Sequence, residues 1–168
     1  MNIIFAPWRY RYVSNPDSEN CIFCKAARTK DDKKSYVLFR GETSFVMMNI
    51  YPYNNGHIMI APYKHTGNLQ ELDEKELCEI STLLQKWQKV LKKAMKADGF
   101  NIGMNLGRVA GAGFEKHLHY HLVPRWNGDT NFMAVVGDTK IIPMSIEEGY
   151  GLLLRVYKEI ENQNGNDG

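Results

Sequence analysis

Three histidines stand at alternate positions in Lys116-His117-Leu118-His119-Tyr120-His121-Leu122-Val123-Pro124, inside an otherwise apolar run. A β-strand sends successive side chains to opposite faces, so His117, His119 and His121 share one face. Leu118, Tyr120 and Leu122 then point the other way, into a core. No core needs three imidazoles in a row. The run reads as a histidine-built site on a strand, and the rest of the chain is weighed for or against that site.

The 168 residues are expected to form one domain, 1–168, burying roughly two thirds of the unfolded surface around a single core. Residues 1–20 form an N-terminal arm in this reading, and 162–168 a frayed tail. A formal charge of +2 gives no reason to expect a nucleic-acid partner. No apolar run is long enough to span a bilayer, so no membrane partner is expected. Three cysteines, an odd number, argue against a secreted disulfide scaffold and for a cytoplasmic protein.

Along the chain, Trp8-Arg9-Tyr10-Arg11-Tyr12 suits an arm laid across the domain, or else an Arg–aromatic contact to nucleotide or RNA. Cys21-Ile22-Phe23-Cys24 has the spacing of a zinc half-site, a redox pair or two buried thiols. Strands in succession are expected after it. Residues 36–40 and 43–49 read as a hairpin around Gly41-Glu42, and 57–61 as an apolar strand stopped by Pro62.

Residues 73–97 carry the clearest helical pattern, with an Asp73/Glu76 capping box and an apolar face of Leu77, Ile80, Leu84, Trp87, Leu91, Ala94 and Met95. Asp98-Gly99 is expected to end it, with Gly99 left-handed. Residues 100–106 read as a strand, and 107–113 as a glycine-rich loop able to present amide N–H groups to phosphate. Residues 133–136 and 140–142 are β-prone. Ser145 and Glu148 open a last helix to about residue 161, despite Gly149 and Gly151.

A neutral imidazole is nucleophilic, and one of three aligned histidines can attack phosphorus while its neighbours stabilise charge on the oxygens. His119, with a helper on each side, is the natural nucleophile. The alternative is a metal-dependent enzyme or a nucleotide-binding protein that uses the His-x-His-x-His strand as ligands. An RNA-binding module would explain none of the histidines.

The run His117-Leu118-His119-Tyr120-His121-Leu122-Val123 resembles the signature of the histidine triad superfamily. The likeness extends over Asn49, Asn55-Gly56-His57 and the loop at 105–113. The stretch from Ala110-Gly111-Ala112-Gly113 to Trp126-Asn127-Gly128-Asp129-Thr130-Asn131-Phe132-Met133 looks like the bacterial branch near the diadenosine tetraphosphate phosphorylases. The resemblance implies an α+β fold, an antiparallel sheet with one long helix and a C-terminal helix, usually joined into a homodimer. It implies hydrolysis or transfer of nucleotides from dinucleoside polyphosphates or related compounds, with water or phosphate as acceptor. His119 would carry the nucleotidyl group, His121 would contact phosphate and His117 would orient the site. Asn49 would bind ribose, Asn105 and the backbone of Gly111, Ala112 and Gly113 the phosphates, and Met47 and Met59 the base. His57 would support the triad.

Several bacterial members of that family hold a structural zinc with a Cys-x-x-Cys pair, a Pro-x-x-His histidine and the first triad histidine. Cys21, Cys24, His65 of Pro62-Tyr63-Lys64-His65, and His117 would form that set, and no organic cofactor is implied. Many relatives place a serine or threonine hydroxyl just before the triad. This chain has Ala112-Gly113 instead.

Overall fold

The computed structural model describes residues 21–129, 137 and 142–165, with side chains to 163. The expected arm at 1–20, most of the β-prone run at 133–142 and the last three residues of the expected tail lie outside the described residues.

Its order is α1 (Ile22–Arg28), β1 (Val37–Arg40), β2 (Ser44–Met48), β3 (Ile58–Pro62), α2 (Glu74–Met95), β4 (Gly99–Gly103), β5 (Tyr120–Arg125) and α3 (Ile146–Gly165). The five strands form one sheet in the order β1-β2-β3-β5-β4, with every neighbouring pair antiparallel. The expected α+β class, with an antiparallel sheet, a long helix and a C-terminal helix, is borne out.

Strands β2 and β3 are buried along their whole length, and apolar except for Ser44, because both their faces are covered. Val46, Met48, Ile58 and Ile60 join the core under α2 and α3, with Ile80, Trp87, Leu91 and Leu153. Phe45, Met47, Met59 and Ala61 face the other way and pack on Phe23, Cys24 and Ala26 of α1. Side-chain alternation thus divides one pair of strands between two cores. The second core is the one that carries the site.

Helix α2 starts on the expected capping box. Asp73 accepts from the Glu76 N–H at 2.8 Å, and Glu76 Oε2 accepts from the Asp73 N–H at 2.9 Å. Two expectations for this helix are corrected. Its buried stripe runs through Ile80, Leu83, Trp87, Val90 and Leu91, whereas Leu77 is 37% exposed. The left-handed residue at its end is Lys96 (φ 52°), not Gly99, which already pairs with Arg125 in β4. The chain has to reverse as soon as the helix ends, because the Asp98 N–H donates to the Arg125 carbonyl at 2.9 Å.

Helix α3 opens on Ser145 and Glu148, whose side chains accept from each other's backbone N–H groups. It runs to Gly165, past the expected end near 161, so the expected tail is helical as far as that residue. Salt bridges to α2, Lys86–Glu161 at 3.1 Å and Lys93–Glu159 at 3.5 Å, hold its last turns. Gly149 has a packing reason: a Cβ there would lie 3.0 Å from the Met48 methyl.

The histidine strand is shorter than expected, since β5 begins at Tyr120. Continuing the β3–β5 register from Ile60↔Tyr120 would set Pro62 opposite Leu118. Proline has no N–H to offer a ladder, and the Leu118 N–H instead donates to the Thr66 carbonyl at 2.7 Å. Alternation survives: Leu118 and Leu122 enter the helix-side core, and the three imidazoles turn the other way.

Candidate functional site

Three separate stretches meet at the site: the start of α1, the segment from Asn49 through β3 to His65, and the run from Phe114 to His121. His117, His119 and His121 come together as the spacing requires, but their hydrogen bonds give them different work.

His117 is 1% exposed, and its Nε2 lies 2.9 Å from the Pro62 carbonyl. A carbonyl only accepts, so Nε2 carries the proton and Nδ1 keeps its lone pair. That lone pair faces Cys21 Sγ at 3.4 Å, Cys24 Sγ at 3.6 Å and His65 Nδ1 at 3.2 Å. His65 Nδ1 lies 3.2 Å from Cys24 Sγ, and all four ligand atoms fall within 4.8 Å of one another. These four residues can hold a metal ion. Burial, then the charge of Cys21, push the Cys24 thiol up to about 11, so a cation is what would let both sulfurs sit there as thiolates.

His119 Nδ1 lies 2.8 Å from the His117 carbonyl. Its proton is therefore on Nδ1, and the lone pair on Nε2 is available for attack. Burial pushes its pKa down, partly opposed by that carbonyl bond, so the ring is kept neutral and nucleophilic.

His57 is fully buried, and its Nδ1 accepts from the Tyr53 N–H at 3.1 Å and faces the Asn49 amide nitrogen at 3.3 Å. Nε2 must then carry the hydrogen, and it lies 2.9 Å from His121 Nδ1. The chain of donors runs Tyr53, His57, His121, and it leaves His121 with its proton on Nε2. Burial first, then the charges of His121 and His119, push His57 down to about 3, so it serves as a neutral relay. Asn49 itself is tied into its turn by accepting from the Tyr51 N–H at 2.9 Å.

The glycine loop is a 3-10 turn over Arg108–Ala110 between left-handed Gly107 and Gly111. The Asn105 amide donates to the Gly111 carbonyl at 3.3 Å. The Gly111 and Ala112 N–H groups close the turn onto the Arg108 and Gly107 carbonyls. Met47 and Met59 are buried opposite each other in β2 and β3, against the core that holds Phe23.

Two contributors had no separate reading in the sequence. Tyr53 fixes the His57 tautomer through its backbone, which no side-chain pattern reports. Phe23 stacks on His119 with centroids 4.6 Å apart. Its only sequence signal was its place inside Cys-x-x-Cys.

With this geometry in view, comparison with known proteins places the chain. The sequence model of the HIT domain matches residues 30–128, and the chain belongs to the HIT domain family. The AP-4-A phosphorylase of Mycobacterium tuberculosis is 40% identical over 122 residues, covering 73% of this chain and 63% of that protein. The match thus spans less than two thirds of that relative's own length. A hypothetical histidine triad nucleotide-binding protein from Sulfolobus tokodaii is 31% identical with a TM-score of 0.63, covering 84% of this chain and 93% of that one. A Zn-bound histidine triad family protein from Mycobacterium smegmatis has the same fold: TM-score 0.70 at 24% identity, over 88% of this chain and 99% of that one.

Proposed function

We propose that the chain is a nucleotidyl hydrolase or transferase acting on dinucleoside polyphosphates, such as diadenosine tetraphosphate, through a covalent nucleotidyl-His119 intermediate. The observation that carries this reading is the 2.8 Å bond from His119 Nδ1 to the His117 carbonyl, which leaves the Nε2 lone pair for attack. The similarity to an AP-4-A phosphorylase supports the substrate class.

In the first step the Nε2–P bond forms at the α-phosphorus, and the bridging P–O bond breaks, its electron pair leaving with the polyphosphate. Positive charge on the imidazole is shared with the His117 carbonyl through Nδ1–H. His121, with its proton on Nε2, donates to a non-bridging oxygen. In the second step water or inorganic phosphate attacks phosphorus, and the electron pair of the P–N bond returns to Nε2. Asn49 binds the ribose, and Met47 and Met59 back the base. Asn105 and the backbone of Gly111, Ala112 and Gly113 hold the phosphates, with Gly113 foremost because the Gly111 and Ala112 amides already close the turn.

Cys21, Cys24, His65 and His117 hold a structural zinc in this reading. Bonds of about 2.3 Å to sulfur and 2.0–2.1 Å to nitrogen put tetrahedral ligands about 3.3–3.8 Å apart. The separations of His117 from both sulfurs and from His65, and of His65 from Cys24, are 3.2–3.6 Å and close to that shape, with all four atoms within 4.8 Å of one another. The ion would tie α1 to the run that leads into β5 and fix the His117 ring. The rival reading, in which all three triad histidines ligate one metal, fits less well. Among the described residues the converging ligand group takes a single triad histidine.

Two copies are proposed to join along β4, an edge strand whose Ile102 is 46% exposed and which leads to Leu106 and Val109, also exposed. No helix among the described residues is long and apolar enough to cross a membrane, and a zinc-ready thiol pair suits the reducing cytosol.

The test uses diadenosine tetraphosphate labelled at the α-phosphorus, with an acid or alkaline quench. Label that stays on the protein in alkali and is lost in acid supports the phosphoramidate, and its absence under single-turnover conditions refutes it. Product analysis then names the acceptor, since attack at the α-phosphorus gives ATP with AMP when water takes the nucleotide and ATP with ADP when inorganic phosphate does.

A further inference from the structure

Phe23 lies between the two cysteines of the metal cluster and is 1% exposed. Its ring stacks on His119 at 4.6 Å and 30°, and lies 5.0 Å from His117 at 32°. One phenyl ring therefore backs both the histidine that faces the cysteines and the histidine with the free lone pair. Phe114 meets the far side of the site core edge-on to Phe23, at 5.9 Å and 86°.

The bond to the His117 carbonyl fixes only one edge of the His119 ring. Rotation of an imidazole about the bond from Cβ is broad, so a single hydrogen bond leaves the ring able to tilt and carry Nε2 off the line of attack. His121 meets the His119 ring nearly perpendicular, at 4.9 Å and 82°, and an edge contact does not set a plane. A flat, immobile wall does. Phe23 is immobile because the residues on either side of it are committed: Cys21 and Cys24 both face His117 Nδ1. The far end of α1 is anchored as well. The Arg40 guanidinium donates to the carbonyls of Ala26, Ala27 and Thr29 at 2.8–2.9 Å.

We propose that Phe23 is a positioning residue, whose ring, clamped between two metal-binding cysteines, sets the plane of the His119 imidazole. The inference rests on His119 being the nucleophile. Burial alone would not require an aromatic ring here, since Phe23 shares its core with Val37, Phe45, Met47 and Met59. Leucine or methionine would keep that core apolar while removing the flat wall.

The experiment compares the full-length, metal-loaded protein with Phe23→Leu and Phe23→Met. The unaltered protein is expected to show nuclear Overhauser contacts between the Phe23 ring and His119, with His119 Hε1 shifted upfield by the stacked ring. Both variants are expected to keep their metal and their far-UV spectrum while that proton moves downfield. The rate of single-turnover labelling at His119 should fall about 10- to 100-fold, the scale for a nucleophile displaced by about 1 Å. KM should change by less than about threefold, because substrate binding does not use the ring.

Absence of the Phe23–His119 contact in the unaltered protein overturns the proposal, and that measurement needs no variant to fold. A folded, metal-loaded variant that labels within about twofold of the normal rate also overturns it. If the unaltered protein never takes label while the contact is present, it is the nucleophile assignment that fails, and the role of Phe23 in this reaction fails with it. A stack without label and label without a stack are therefore separate results.

Discussion

His57 Nε2 donates to His121 Nδ1 across 2.9 Å, joining a fully buried imidazole to a histidine of β5. The bond sets the tautomer of His121 from behind. A second proton on His57 would go to Nδ1, where it would oppose the Tyr53 N–H that Nδ1 accepts, and this gives the first prediction.

His57 has an ordinary value of 6.5 and is pushed down to about 3 in the fold, chiefly by burial. Between those two values the unfolded chain binds a proton that the folded chain refuses. Its contribution is therefore fully present above pH 6.5 and is lost as the pH falls toward 3. From pH 7.5 to 5.5 this one group should remove about 1.4 kcal/mol of stability. Urea unfolding of the native protein and of His57→Asn at both pH values checks it. The variant should show a fall smaller by about that amount, and equal falls would contradict the assignment.

His119→Asn keeps an amide N–H for the His117 carbonyl and loses the ring nitrogen that attacks. Turnover of diadenosine tetraphosphate is expected to drop about a thousandfold or more, with nucleotide binding and the thermal midpoint little changed. A steady-state assay paired with calorimetry decides the matter. Near-normal turnover by a folded variant would remove His119 from the mechanism.

Cys21→Ser removes one of four converging ligand atoms. Elemental analysis should find about one zinc per chain in the native protein and much less in the variant. The thermal midpoint should fall by about 2–4 °C for each kcal/mol of lost metal binding. A native protein without zinc, together with an unchanged midpoint in the variant, would disprove the metal centre.

Gly67 is where two backbones touch. A Cβ at this position would lie 2.3 Å from the Glu115 carbonyl oxygen and 3.2 Å from the Lys116 Cα. Neither neighbour is the end of a flexible side chain, so Gly67→Ala must push the segment leading into His117. A loss of about 1–3 kcal/mol is expected, with weaker metal retention. Equilibrium denaturation and a chelator competition would show both.

Ile102→Lys puts a charge on the exposed edge of the sheet. If two copies pair along β4, analytical ultracentrifugation should show the variant as a monomer at concentrations where the native chain is a dimer.

Much of this fold was legible in the sequence, because the signals were local. Alternation across β2, β3 and the histidine run follows from the period of a strand. The Asp73/Glu76 box marked the start of α2 because capping is settled within four residues. Helix α1 is not legible in the sequence: it has seven residues, too few for a periodic stripe, and Arg40 of the following strand holds its end. Helical spacing points to Leu77 rather than Leu83 for the core, because spacing alone does not say which of two adjacent stripes the sheet will cover. Gly99 was expected to turn the chain because it is a glycine, but β5 claims Asp98 and Gly99, and the turn falls on Lys96.

The candidate site divides the same way. The residue types could be read from motifs, and Cys21, Cys24, His65 and His117 come together as a group that could hold a metal ion. Tautomers could not be read, because they depend on carbonyls at Pro62 and His117 and on the backbone of Tyr53.

The four residues that could hold a metal are also separated in synthesis. Cys24 and His117 are 93 positions apart. At about 5–20 residues per second, the thiols leave the ribosome roughly 5–20 s before the last ligand. During that interval the nascent chain carries an uncapped dithiol, exposed to oxidants and to competing soft metals. Only when the histidine run arrives can the Cys-x-x-Cys segment meet His117, so the two ends of the site close on each other late in synthesis.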